Sequence, residues 1–102
     1  MQHQIINGKS IQQHPDIAVF AIMHRPSTSV EYIGMDYGTE RLFVQFHGGK
    51  SYIYEGVPET IARGCINCPS IGKYINDLIK PSYTAVKYDY KLVNVVEGGG
   101  HA

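Results

Sequence analysis

Tryptophan is missing from this 102-residue chain, cysteine occurs only twice, and nine Lys and Arg exactly offset nine Asp and Glu, so no net charge remains. Each shortage excludes something. Without a whole-molecule field to draw it onto a nucleic-acid backbone, the protein has to build any polyanion site locally. Cys65 and Cys68 alone do not make the disulfide framework of a small secreted domain. As a zinc half-site the pair would need two further ligands, yet there is no second Cys pair, and His3, His14, His24, His47 and His101 show no ligand spacing. Two buried small side chains are the simpler reading. No apolar run reaches membrane-spanning length, and Met1 to Ser10 lacks the basic-then-apolar order of a signal peptide, so a soluble, cytoplasmic protein is expected. Neither a Ser-His-Asp set, a Cys-His pair nor paired carboxylates stand out, so no catalytic residue, metal or cofactor is assigned and a non-enzymatic protein is expected.

A hydrophobic content of 43% over this length supports one core and therefore a single domain, 1–102. Asn7-Gly8 suits a type I′ turn between short strands around Ile5-Ile6 and Ile11. Ile17 to Met23 is a continuous apolar run read as one buried strand, and Val30 and Tyr32 are placed on one side of the next. Leu42, Val44 and Phe46 alternate with Arg41, Phe43, Gln45 and His47, which is the period of a strand with two distinct faces. With Gly48-Gly49 as a two-residue loop, Val44 lies opposite Ile53, Gln45 opposite Tyr52 and Phe43 opposite Tyr54, separating an aliphatic face from a polar and aromatic one. A three-residue loop with a bulge would shift the partner strand and mix the two sets. Pro58 opens a short helix expected to end near Gly64, and Ser70 caps a second helix whose Ile71, Tyr74, Ile75, Leu78 and Ile79 share an apolar face until Pro81 ends it. Tyr83 to Val96 has strand-forming composition, and the Gly-rich segment after it reads as a disordered tail. The fold class is α+β, a small twisted antiparallel sheet of about five strands with two short helices on one face.

Three blocks carry a resemblance: Leu42-x-Val44-x-Phe46-x-x-Gly49, then Tyr52-x-Tyr54-x-Gly56-Val57-Pro58, then Ser70-x-Gly72-x-Tyr74-x-Asn76-x-x-Ile79-Lys80-x-x-Tyr83. In order and spacing they resemble the KTSC domain, a small family named for its place at the C-terminus of some lysyl-tRNA synthetases and also free-standing in bacteria and phages. The resemblance runs over about 29–83, leaving 1–28 as an N-terminal hairpin and strand extension and 84–102 as a C-terminal strand and tail. Met35-Asp36 departs from the family's usual aromatic-Asp pair, and Cys68 stands where the family usually has a small residue. The resemblance implies a strand-rich domain with a proposed nucleic-acid role.

Two groups of side chains suit that chemistry. His47-Gly48-Gly49-Lys50 lies between strands and is no Walker loop, but Lys50 beside Tyr52 places a cation next to a ring that can meet a base. Lys73, Asn76 and Lys80 mark the outer side of the second helix, with Tyr83 beyond it and Arg63 on the preceding helix. The expected function is binding of a nucleotide-type ligand, either a small free nucleotide, as in sequestration of a nucleotide immune signal by a phage protein, or single-stranded RNA or DNA. The alternative is a protein interaction module that uses tyrosines and an edge strand. Because Ile17 to Met23 is apolar on both faces, a homo-oligomer built on a dimer is also expected.

Overall fold

The computed structural model describes residues 2–6, 9–25 and 27–95. Five strands form an antiparallel sheet in the order β3 (Ala21–Met23), β4 (Val30–Asp36), β5 (Arg41–Phe46), β6 (Ser51–Glu55) and β7 (Ala85–Tyr88). A second sheet of three strands joins β1 (Gln2–Ile6), β2 (Lys9–Gln13) and β8 (Val93–Val95). The first two of these pair as the expected hairpin, with Gln4 opposite Ile11. The Asn7-Gly8 turn and the Gly-rich tail lie outside the described residues.

The β5–β6 hairpin follows the bulged alternative. Phe46 O accepts from Gly49 N–H and Lys50 O from Phe46 N–H, so His47, Gly48 and Gly49 form a three-residue loop that needs Gly49 at φ 95°. Phe43 therefore faces Ile53, Val44 faces Tyr52 and Leu42 faces Tyr54, one residue away from the two-residue-loop register. That slip moves Tyr52 and Tyr54 onto the face of Leu42 and Val44, because side chains alternate with period two. A bulge between Val30 and Tyr32 separates those two as well.

Each face of the five-stranded sheet has its own core. On one, Val30, Ile33, Met35, Leu42, Val44 and Tyr54 pack against the helices. Helix α1 (Glu59–Asn67) begins after Pro58, whose backbone is extended, and runs past Gly64. Burial of Ala62, Cys65 and Ile66 at helical spacing outweighs the cost of a glycine there, about 1 kcal/mol. Helix α2 (Ile71–Tyr74) continues into a π turn, Ile75–Ile79, closed by a 2.8 Å bond from Lys80 N–H to Ile75 O. A spacing of four overshoots an α-helical turn by about 40°, so Ile71, Ile75 and Ile79 would drift by about 80° across a regular helix. The wider turn brings all three back to the sheet, and leaves Leu78 outside the stripe at 50% exposure rather than on the expected apolar face.

The opposite face carries Tyr32, Phe43 and Ile53, covered by Ile11, Ile17, Phe20, Leu92 and Val93. Here the expected strand over Ile17 to Met23 gives way to a 3₁₀ turn (Pro15–Ile17), a bend and the three residues of β3. The bend aims Ile17, Phe20 and Ile22 inward and turns Val19 out, 69% exposed. The run is thus covered within its own chain, which removes the physical reason for expecting a dimer from it.

Candidate functional site

On the helix side of the sheet, the outer edge of α2 and its π turn faces two loops. One is the Ser27–Ser29 segment before β4, and the other is the β5–β6 hairpin. His47 ties the two together, its N–H donating to Ser29 O (2.9 Å) and its Nε2 lying 3.1 Å from Ser27 O. Ser27 Oγ in turn accepts from the N–H groups of Ser29 and Val30, at 3.3 and 3.4 Å. Across from this loop, the Ser29 hydroxyl reaches so close to Gly72 that a side chain there would meet it. Between the loop and the helix opens a cleft of about 620 Å³, lined by Ser27, Thr28, Ser29, Ser70, Lys73 and Asn76, with Asp77 beside them. A smaller cleft of about 280 Å³ lies between the hairpin and the end of the helix, lined by Phe46, Gly48, Lys50, Tyr52 and Lys80.

The two clefts differ in charge. Lys73 Nζ lies 2.6 Å from Asp77 Oδ2, and this hydrogen bond and charge raise the lysine pKa above its ordinary value. The larger cleft is therefore polar with its cation already matched. Lys50 and Lys80 form no ion pair among the described residues, so the smaller cleft holds two unmatched cations. Its apolar wall is Tyr52, stacked on Tyr54 at 6.0 Å between ring centroids and edge-on to Phe46 at 5.6 Å.

Of the residues singled out in the sequence, Lys73 and Asn76 meet in the larger cleft, and Lys50, Tyr52 and Lys80 in the smaller one. Arg63 stands apart, paired with Glu59 at 2.5 Å and lying over the Tyr37 ring at 5.0 Å. Tyr37 belongs to the β4–β5 turn, at the opposite end of β5 from the hairpin. Tyr83 packs, partly buried, against the helix-side core and lines neither cleft. The sequence reading did not assign Ser27, Thr28, Ser29, Ser70 or Asp77 to the site. A run of three hydroxyl residues was the available signal, but its approach to the helix depends on His47 and on the bare backbone of Gly72.

Cys65 is buried, and burial together with the neighbouring Cys68 pushes its thiol up to about 12, so it is a protonated core side chain rather than a nucleophile at neutral pH. Cys68 Sγ accepts from Ser70 N–H at 3.4 Å, where the chain passes from α1 to α2. Among the described residues no three His, Cys, Asp or Glu side chains are grouped to hold a metal.

Residues 26–83 match the family model of the KTSC domain. A protein of Tsukamurella paurometabola is 32% identical over 60 residues, which cover 59% of this chain and 90% of that protein. One of Stutzerimonas stutzeri is 32% identical over 57 residues, covering 56% of this chain and 80% of its own. The crystal structure of a KTSC domain protein from Yersinia pestis superposes with a TM-score of 0.64 at 26% identity, covering 68% of this chain and 97% of that one. The matched segment contains β4, β5, β6 and both helices, and so every residue that lines the two clefts. On its sequence match and its structural likeness alike, the chain belongs to the KTSC domain family.

Proposed function

We propose that this protein is a non-enzymatic binding module that holds a nucleotide-type ligand along the outer edge of α2 and its π turn. The observation that carries this reading is the meeting of Lys50 and Tyr52 from the hairpin with Lys80 from the helix in one cleft, beside a second cleft of hydroxyls, Lys73 and Asn76. Unmatched ammonium groups attract phosphate, while amide and hydroxyl groups suit a sugar and the polar edge of a base. The larger cleft, about 620 Å³, has the volume of a small-molecule site, and the smaller, about 280 Å³, falls just below that range. A chain without net charge also lacks the extended basic footprint of a polynucleotide binder, which favours a small nucleotide over single-stranded RNA or DNA. The π turn adds support, since such turns recur at functional sites. Sequestration of a nucleotide signal is a role such a module can perform without catalysis.

The alternative, pairing with another protein through an edge strand, has a physical basis in β7, an outer strand of the sheet on which Val86 is 46% exposed. Mass spectrometry of small molecules released by denaturing the purified protein, with the absorbance ratio of the native sample, separates the two. Recovery of a nucleotide in stoichiometric amount is the expected result; release of none, together with no binding of added nucleotides, would favour the edge strand.

A further inference from the structure

The two clefts are unequal in charge, and that inequality gives any phosphorylated ligand a direction. Phosphate is drawn to the smaller cleft, where Lys50 and Lys80 are unmatched, and disfavoured in the larger one, where Asp77 already balances Lys73 and presents its own carboxylate. Asp77 uses Oδ2 for Lys73, and its Oδ1 accepts no hydrogen bond among the described residues. A half-exposed carboxylate oxygen beside Asn76 and the Ser27–Ser29 hydroxyls is an acceptor for neutral donors, not a site for a second anion. Lys80 follows Asp77 by three residues across the π turn, so a ligand with its phosphate at Lys80 that extends along the helix edge presents its next group of atoms to Asp77. In a nucleotide that group is the sugar.

Resting on the nucleotide reading above, we infer that the ligand is a ribonucleotide, with its phosphate between Lys50 and Lys80 and its ribose hydroxyls donating to Asp77. An acidic side chain accepting from ribose hydroxyls is a recurrent way to select ribose, and the 2′-hydroxyl is what separates ribo from deoxyribo ligands. The same ribose and phosphate occur in a free nucleotide and in an RNA chain.

The test is calorimetric titration of the whole chain with ribonucleoside 5′-monophosphates and their 2′-deoxy counterparts, repeated with Asp77→Asn and with Lys50→Ala combined with Lys80→Ala. All three positions are exposed, so folding should be retained, as circular dichroism would verify. The parent should prefer the ribonucleotide by about tenfold, as expected for a hydrogen bond to a charged acceptor. Asp77→Asn should bring that preference to within about twofold by the same reasoning, while the double lysine variant weakens both ligands and leaves the preference standing. A short oligoribonucleotide distinguishes the source: binding tighter than the monophosphate assigns the ligand to RNA, weaker binding to a free nucleotide. Equal binding of ribo and deoxy forms, or a preference that survives Asp77→Asn, would overturn the inference while leaving the nucleotide reading in place. No binding of any nucleotide would overturn both.

Discussion

Gln45 is fully buried near the end of β5, the central strand of its sheet, yet its side-chain amide leaves little unsatisfied. Nε2 donates to Glu31 Oε1 and to Val93 O, both at 2.9 Å, while Oε1 accepts from Leu92 N–H at 3.0 Å and Val93 N–H at 2.8 Å. The amide thus stands in for a strand, holding the chain ahead of and into β8 against the five-stranded sheet. Removing it strands backbone donors and an acceptor in a dry interior, where each unsatisfied group costs about 1–3 kcal/mol. Gln45→Ala is expected to lower unfolding free energy by about 2–4 kcal/mol on the same scale, read from a urea transition; an unchanged midpoint would contradict this role. This residue also marks what a sequence withholds. Alternation identified Gln45 as lying on the face of Phe43, but its backbone partners lie 47 and 48 positions away, and no local pattern encodes such a contact. Lys73, Asn76 and Lys80 were legible because helical spacing alone puts them on the outer edge.

At the scale of elements, strands and helices were readable where the side-chain period is clear, and left open or misread where one residue of register or curvature decides. The hairpin and its flanking strands follow from alternation around Gly48-Gly49. Their facing depends on loop length, which two glycines leave ambiguous, so the companions of Tyr52 stayed open until the three-residue loop set it opposite Val44. Likewise the helix after Ser70 was legible, while the π turn that expels Leu78 is a response to the sheet beneath it. Strand β4 offers two tests. Gly34 sits where an added Cβ would come within 2.7 Å of Ala21 O, a backbone atom of β3 that cannot swing aside. Gly34→Ala should cost about 1–3 kcal/mol and speed hydrogen exchange of β3 amides; native exchange would show that the strands can part freely. The same strand carries Glu31 and Asp36. Burial alone would raise Glu31, but hydrogen bonds from Gln45 and Lys91 and the Lys91 charge outweigh it and lower its pKa. Asp36 is lowered chiefly by the Thr39 hydroxyl, against some burial, with help from Arg41 and the Gly38 N–H. Lowered folded-state values mean stabilisation that is complete above the ordinary values of 4.5 and 3.8 and is lost as pH falls through the folded ones. Glu31→Gln with Asp36→Asn should therefore be less stable than the parent at pH 7, with the gap closing in acid; a gap constant with pH would refute the assignment.

For the whole molecule, the family segment supplies one finished face and one that needs cover. Residues 26–83 contribute the helices over Leu42 and Val44, whereas Ile11, Ile17, Phe20, Leu92 and Val93, which cover Phe43 and Ile53, all lie outside that segment. The added chain at both ends thus closes the sheet on the side away from the clefts and leaves the helix edge open. That division was only half legible. The resemblance marked the segment, but its second core joins residues from both ends of the chain, and an apolar run covered this way looks in sequence like one awaiting a partner. The central claim is that a nucleotide binds along the helix edge, on the family's own face. It is tested most directly by nuclear magnetic resonance of the isotopically labelled protein titrated with a ribonucleoside monophosphate. The account predicts saturable shifts of the backbone amides at Lys50, Lys73, Asn76, Asp77 and Lys80, with β7 undisturbed. Shifts confined to β7, or none along the helix edge at saturating ligand, would contradict it.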